Sequence, residues 1–266
     1  MEKIRFGIVG IGMMGRMHAT SLQRNPHAEV VAVCARTESK VKAFQEEFGV
    51  PYGYTNVDEL VNNPEVDAIV VATGADAHKA PCLAACKAKK HIFCEKPLAD
   101  TVEKCKEAEA IIAAHPELTF MLGFMRRYDP SYQVAKKKME NGDIGDVILV
   151  RCYSQDPISI IEGTLEYAPR SGGQFIDMSI HDFDLIRWLT GSEVKELWAT
   201  GGCYEFKQYK DWDDGDNVSG LMKMENDAMA FFFAGRAAAH GSHVETEIVG
   251  TEAHIRVAGV PWKDRV

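Results

Sequence analysis

The run Gly172-Gly173-Gln174-Phe175-Ile176-Asp177-Met178-Ser179-Ile180-His181-Asp182-Phe183-Asp184 sets a carboxylate, an imidazole and a second carboxylate at i, i+4 and i+7. On a single helix the three share a face, because side chains three and four residues apart are neighbours on its surface. An ionised Asp177 beside His181 favours the protonated imidazole, so the pair can take a substrate proton and hold it near neutral pH. That is the chemistry of a general base. The same spacing also suits a helix N-terminus with Asp177 in its first turn and a solvated histidine, and only the surrounding motifs decide between the two.

Gly10-Ile11-Gly12-Met13-Met14-Gly15 fits G-x-G-x-x-G and stands between an apolar run, residues 4 to 9, and a helical pattern through Arg24. In that setting Gly10 permits a tight turn, Gly12 lets backbone N–H groups approach a pyrophosphate, and Gly15 lets helix and strand pack closely. The helix N-terminus then faces the phosphates. The alternative is a glycine-rich turn without a ligand. Glu95-Lys96-Pro97 directly follows the apolar run His91–Cys94, which puts Lys96 at the carboxyl end of a parallel strand, where open α/β sheets bind ligands. A cationic lysine there can hydrogen-bond a reacting hydroxyl and stabilise the developing alkoxide, although a surface lysine in a loop is the plainer reading. Gly123-Phe124-Met125-Arg126-Arg127-Tyr128-Asp129-Pro130 gathers two guanidinium groups and a phenol. Either arginine can donate to vicinal hydroxyls or simply pair with Asp129.

The elements that must position these groups alternate along the first half of the chain. Strands are predicted at residues 4 to 9, Val30–Cys34, Ala68–Ala72, His91–Cys94 and Phe120–Gly123, with helices through Arg24 and at Glu38–Phe48, Val57–Asn62, Ala77–Ala88 and Val102–Ala114. Such alternation implies a parallel sheet covered on both faces. Beyond Gly123 a helix at Ser131–Glu140 precedes longer strands at Val147–Tyr153, Val194–Thr200, Val218–Met224, Met229–Ala234 and Glu245–Val249, which read as an antiparallel or mixed sheet. The domain boundary is placed near residue 123.

A chain of 266 residues with 46% apolar and 26% charged content has the composition of a two-domain protein with a sizeable core. The net charge of −9 offers no basic face for phosphate tracking, so no nucleic-acid partner is expected. Seven cysteines without a Cys-x-x-Cys pair suggest reduced structural thiols rather than a disulfide framework or a zinc site. No apolar run has the length of a membrane span, and the start leads straight into a strand, so no membrane partner and a cytoplasmic address are expected.

Together with Glu247-Ile248-Val249-Gly250-Thr251-Glu252, these motifs resemble the Gfo/Idh/MocA oxidoreductase family along nearly the whole chain. Within it, the Arg126–Asp129 and Asp177–Asp184 stretches are most similar to inositol 2-dehydrogenases. The resemblance implies an α/β fold: a Rossmann doubly wound parallel sheet in residues 1–123, then, in 124–266, an α+β domain with an open, mostly antiparallel sheet. That second domain would hold substrate and make homo-dimer or homo-tetramer contacts. The implied catalytic set is Lys96, Asp177 and His181, and no metal takes part. The expected cofactor cradle is Gly10, Gly12, Met13, Met14, Gly15, Arg36, Thr73, Glu95 and Lys96. Arg127, Asp156 and Asp184 are implied substrate contacts, Asp156 on the looser match Ser154-Gln155-Asp156-Pro157. The expected reaction oxidises a secondary alcohol of a cyclic polyol, an inositol first of all, with hydride transfer to a nicotinamide. A hexose, an amino- or keto-inositol or a trans-dihydrodiol would suit the same chemistry, and a nicotinamide-binding sensor without turnover is the reading from another class.

The chain departs from the family pattern in two places. Relatives normally continue past the Gly250–Ala253 turn into a further strand and helix, so the second domain is expected to lack part of its edge cover and either to self-associate or to be less stable than a longer version. At the end of the second strand, where an acidic residue would bind the adenosine ribose, stands Cys34-Ala35-Arg36-Thr37. Without that carboxylate, and with a guanidinium that can grip a 2′-phosphate, NADP is favoured slightly over NAD unless Glu38 supplies the missing acid.

Overall fold

The structure, a computed structural model, describes residues 3–259. After Gly123 the chain divides into two compact units. The first consists of β1 (Ile4–Val9), α1 (Met13–Arg24), β2 (Ala28–Cys34), α2 (Glu38–Phe48), β3 (Tyr52–Tyr54), α3 (Val57–Val61), β4 (Ala68–Val71), α4 (Lys79–Lys87), β5 (His91–Cys94), α5 (Val102–Ala113) and β6 (Phe120–Leu122). Its strands lie in the order β3-β2-β1-β4-β5-β6. All of their pairings are parallel, as the strand and helix alternation implied. The sequence of the central strands explains this: Val30 to Cys34 and Ala68 to Val71 are buried at every position, leaving neither face for water. Residues of α1 and α2 pack with Ile8, Val30, Val33 and Val70 on one face. Residues of α3, α4 and α5 pack with Val9, Val31, Ile69 and Val71 on the other. Strand order reverses between β1 and β4, and the carboxyl ends there form the switch point at which such sheets bind ligands.

The second unit consists of α6 (Pro130–Glu140), β7 (Val147–Pro157), α7 (Ile161–Tyr167), α8 (Gln174–Asp177), α9 (Ile180–Thr190), β8 (Val194–Gly202), β9 (Asn217–Met224), β10 (Met229–Ala238), β11 (His243–Gly250) and β12 (His254–Gly259). Its sheet runs β12-β11-β7-β10-β9-β8, with β7 and β10 parallel and the other pairs antiparallel. One face is apolar: Val150, Cys152, Met222, Ala230, Phe232 and Ile248 pack with Leu185, Ile186 and Leu189 of α9 and with Tyr132 and Ala135 of α6. On the other face the row Trp198, Leu221 and Phe231 runs across three neighbouring strands.

The largest correction to the sequence reading falls on Gly172–Asp184. The run is not one helix. Asp177 ends α8, Met178 and Ser179 form a turn, and α9 starts afresh at Ile180. Gln174, Met178 and Ser179 are all buried, so tertiary packing and not a single amphipathic face decides the path of the chain here. Other differences are smaller. β7 and β10 run farther than their apolar stretches suggested, and α4 starts at Lys79 after a 3-10 turn at Ala75–Ala77. β3, α7 and β12 were not foreseen; β3 has three residues, too few for a period to show.

All seven cysteines are free, and burial pushes the Cys34 thiol up to about 11. No helix among the described residues is long and apolar enough to cross a membrane, and none of them forms a cluster of three or more metal-ligating side chains.

One buried carboxylate organises the approach to β9. Asp216 is inaccessible to solvent and accepts the backbone N–H groups of Tyr204 at 2.9 Å and of Glu205 and Phe206 at 2.7 Å, with Asn217 adding a side-chain donor at 3.0 Å. Burial opposes its ionisation, but these donors prevail and hold the carboxyl below its ordinary value. A carboxyl depressed in the folded state stabilises the protein above its unfolded pKa of about 4, and that contribution is lost as pH falls through the lower folded value. Asp216→Asn should therefore be less stable than the parent at pH 7 but lose less stability on acidification below about pH 4. Urea unfolding across that window checks it, and parallel pH profiles would remove Asp216 from the acid response.

Candidate active site

At the switch point the chain leaves β1 and turns through the glycine loop into α1. Gly10 has φ +97°, and a Cβ on it would lie 2.5 Å from the Ala72 carbonyl oxygen, so only glycine fits. A Cβ on Gly15 would lie 2.0 Å from the Gly10 carbonyl oxygen, which fixes the first turn of α1 against the loop. Gly12 differs: a Cβ there would meet nothing within 4 Å, so its bare backbone borders open space. No side chain caps α1 and no acid occupies its first turn, leaving the orphan N–H groups and their partial positive charge for a ligand. Open space, uncapped donors and a missing acid fit a pyrophosphate. Met13 is exposed and Met14 half-buried beside them. Thr73 follows β4 and Arg36 follows β2, so both stand at the carboxyl end of this sheet, with Arg36 exposed. Glu38, the alternative acid, instead pairs with Lys42 at 2.7 Å on the surface of α2.

Lys96 is half-buried just past β5, between buried Glu95 and buried Pro97, and the Lys96–Pro97 peptide is cis. One Glu95 oxygen, Oε1, is 2.7 Å from Nε2 of His18 on α1, and Oε2 accepts the Lys96 backbone N–H at 3.2 Å.

In the second unit, Asp177 and His181 stand on either side of the Met178–Ser179 turn. The Asp177 carboxylate accepts a hydrogen bond from Arg236 Nη1 at 3.0 Å. Arg236 comes from β10, is 1% exposed, and lies over the Tyr209 ring at 5.7 Å. Burial pushes the Tyr209 phenol up to about 12, so it remains a neutral neighbour. The His181 ring meets Phe124 edge-on, 6.5 Å between centroids. Asp182, next in the chain, is buried with Arg126: Nη1 donates to its Oδ1 at 2.6 Å, Nη2 donates to Ser154 Oγ at 2.9 Å, and Ser154 Oγ donates to the same Oδ1 at 2.7 Å. Burial drives the Asp182 carboxyl upward, against the pull of Arg126 and Ser154.

Arg127 and Asp184 grip each other in a bidentate fork, Nε to Oδ2 at 2.8 Å and Nη2 to Oδ1 at 2.7 Å. The two consecutive arginines thus hold two alternate carboxylates of α9. Asp129 pairs with neither; its carboxylate caps α6 by accepting the Ser131 N–H at 2.8 Å. Asp156 lies near the end of β7, and strand alternation sets it on the face of Cys152 and Ser154.

The sequence reading missed Arg236 and His18. His18 stands three residues after Gly15, a spacing that was visible but carries no meaning until the fold brings the Glu95 side chain at the end of β5 to α1. Arg236 had no local signal at all, since it lies in β10 beyond the stretch recognised as a strand.

Residues 4–124 match the oxidoreductase family with an NAD-binding Rossmann fold, and residues 132–256 match the GFO/IDH/MocA C-terminal domain. An uncharacterized oxidoreductase, YrbE, of Bacillus subtilis is 34% identical over 251 residues, which are 94% of this chain and 72% of the relative. Myo-inositol 2-dehydrogenase of Thermotoga maritima is 33% identical over 259 residues, covering 95% of this chain and 74% of the relative. Among solved structures, scyllo-inositol dehydrogenase from Lactobacillus casei with bound NAD(H) and scyllo-inositol superposes with a TM-score of 0.92 at 38% identity, covering 100% of this chain and 79% of that one. A nucleotide cradle on a parallel sheet and an acid–imidazole turn on an open sheet are therefore found in the order in which this family carries its two domains, and the chain belongs to the Gfo/Idh/MocA oxidoreductases.

Proposed function

We propose that the protein is a nicotinamide-dependent dehydrogenase acting on a secondary alcohol of a cyclic polyol, with an inositol oxidised to a ketoinositol. One observation carries the reading: Lys96, Asp177 and His181 are all present in a chain whose full length resembles an inositol dehydrogenase that holds NAD(H) and scyllo-inositol. The glycine loop and the N-terminus of α1 hold the pyrophosphate, with Thr73 and Glu95 lining the same end of the sheet. A bound nicotinamide would supply the hydride acceptor for the carbinol carbon. His181 takes the hydroxyl proton at its ring nitrogen. Asp177, itself steadied by Arg236, favours the imidazolium that results, and the Lys96 ammonium stabilises the alkoxide by charge. Asp156 hydrogen-bonds substrate hydroxyls, while the Arg127–Asp184 pair borders the substrate and keeps α9 in place. Holding the reacting groups in contact contributes about 7–11 kcal/mol to such a reaction.

The test is a spectrophotometric screen of inositols, hexoses and a trans-dihydrodiol against NAD and NADP. Turnover of an inositol with the highest kcat/KM supports the proposal. Preference for a hexose or the dihydrodiol would keep the chemistry and replace the substrate, and tight dinucleotide binding without turnover of any alcohol would make the protein a sensor.

At the ribose end, the reading favours NADP. Ala35 offers no carboxylate, Glu38 is engaged by Lys42, and exposed Arg36 can fork a 2′-phosphate. Arg36→Ala is expected to lower kcat/KM with NADP by about tenfold, the scale of one charge-assisted contact, and to leave NAD nearly unchanged. A wild type that prefers NAD tenfold or more, or a variant with an unaltered ratio, would show that Arg36 does not read the phosphate.

The second unit also supports assembly into a homo-dimer or homo-tetramer through its open sheet face, where Trp198 is 58% and Leu221 56% exposed. Trp198→Glu should shift the protein toward monomer in light scattering. Free, mostly buried cysteines suit a reducing, cytoplasmic setting.

A further inference from the structure

We propose that two histidines outside the acid–imidazole pair, His18 and His78, are positioning residues for Lys96, clamping the residues on either side of it. The inference rests on the reading of Lys96 as the cation that meets the reacting hydroxyl. It adds how that cation is aimed.

Lys96 stands two residues past the end of β5, and the chain is tied on both of its flanks. Before it, the Glu95 N–H is tied to the Val71 carbonyl at 2.9 Å, the last bond of the β4–β5 ladder. The Glu95 side chain turns back to accept the Lys96 N–H at 3.2 Å through Oε2. Its other oxygen is gripped by His18 Nε2 at 2.7 Å, with the imidazole set edge-on to Phe93 at 4.9 Å between centroids. Gly123 leaves room for this carboxylate, since a Cβ there would lie 3.2 Å from Glu95 Oε2. After Lys96, the Pro97 carbonyl faces His78 Nδ1 at 2.7 Å, and Nε2 of the same ring lies 3.1 Å from the Thr73 carbonyl. His78 is 1% exposed, just before α4. A carbonyl oxygen only accepts, so the shorter contact carries the ring N–H, donated by Nδ1 to Pro97, and Nε2 meets the Thr73 carbonyl as a packing contact.

The two clamps tie Lys96 to different parts of the cofactor cradle. His18 lies on the helix that starts at the glycine loop, three residues after Gly15, and the His78 ring packs against the Thr73 carbonyl after β4. The lysine is thereby referenced to the loop that holds the phosphates and to the strand end beside it. Positioning of this kind matters because a misplacement of about 1 Å at a reacting group costs up to about 10²-fold in rate. The contacts of Glu95 and His78 with neighbouring backbone are also the type of support that fixes a functional side chain on a rigid element.

The decisive experiment is a double-mutant cycle on the full chain. His18→Leu and His78→Leu should each lower kcat, up to about 10²-fold, with little change in NAD(P)H affinity measured by fluorescence titration. His18→Gln, whose amide can replace the Nε2 donor, and His78→Asn, whose amide can replace Nδ1, should restore most of the rate. In a Lys96→Met background neither leucine change should lower kcat further, because groups that act through one another are not additive. If the leucine variants lose rate by the same factor with and without Lys96, the positioning role is overturned while Lys96 keeps its place. If Lys96→Met leaves kcat unchanged, the underlying reading of Lys96 fails instead, and the positioning proposal falls with it. Should His78→Leu not fold, His18→Asn, a partly exposed site where the shorter amide falls short of Glu95, carries the cycle alone.

Discussion

His181→Ala is expected to lower kcat by about 10² to 10⁴ while leaving NAD(P)H affinity within about twofold of the parent. The asymmetry follows from where the groups come from. In the proposed function the dinucleotide is met by the loop after β1 and the strand ends of the first unit, whereas His181 lies in the first turn of α9 in the second. Removing the imidazole would delete the proposed proton acceptor and one edge-on contact with Phe124, and would leave the glycine loop of the first unit unchanged in sequence. The loss should shrink at high pH, where hydroxide begins to replace the missing base. Steady-state kinetics from pH 6 to 9 with a direct binding titration checks both halves, and equal turnover of parent and variant across that range would remove His181 as the base.

The second large effect is on stability. Asp182→Ala strands the Arg126 guanidinium in a site where it is 8% exposed and where Ser154 Oγ alone remains as its partner. Breaking a buried ion pair from one side costs about 3–5 kcal/mol, because the desolvation of the remaining charge is no longer offset. The double variant Arg126→Met with Asp182→Leu removes both charges and should recover a large part of that loss. Urea unfolding followed by tryptophan fluorescence is the measurement. It reports on the relevant half of the molecule, since Trp188, Trp198, Trp212 and Trp262 all follow Gly123. A cost below about 1 kcal/mol for the single change, the range of exposed pairs, would mean that the triad is not the lock that it looks to be.

Much of the first unit could be read directly from the chain because its central strands contain unbroken apolar runs, Val30–Cys34 and Ala68–Val71, and its turns are marked by glycine, as at Gly10 and Gly49. Such signals are local. The second unit was legible only in part, because its helices near the site do not follow one period. Gln174 and Ser179 are buried polar residues whose path is set by what packs around them, so a seven-residue spacing that looks helical spans two helices and a turn. The same limit governs the candidate site. Residue types that announce chemistry, such as Lys96 after a strand or His181 beside acids, were found by spacing. Their supports, Arg236 for Asp177 and His18 for Glu95, are joined across long stretches of chain, and only the folded register brings them together.

The placement of β7 has a consequence for how the chain acquires its structure. This strand pairs Val150 with Ala230 on one side and with Ile248 on the other, so both of its neighbours are made long after it. Closing such loops costs chain entropy before any pairing compensates for it, and parallel pairs between distant segments are slow for that reason. In the first unit, by contrast, β1 and β2 are joined through α1 alone, and β4 and β5 through α4 and a single turn. The first unit is therefore expected to complete its fold while the second still waits for β10 and β11, with β7 exposed on both edges in the interval. On the ribosome, that interval is when a chaperone would engage this protein, and the segment to be shielded is Val147–Pro157.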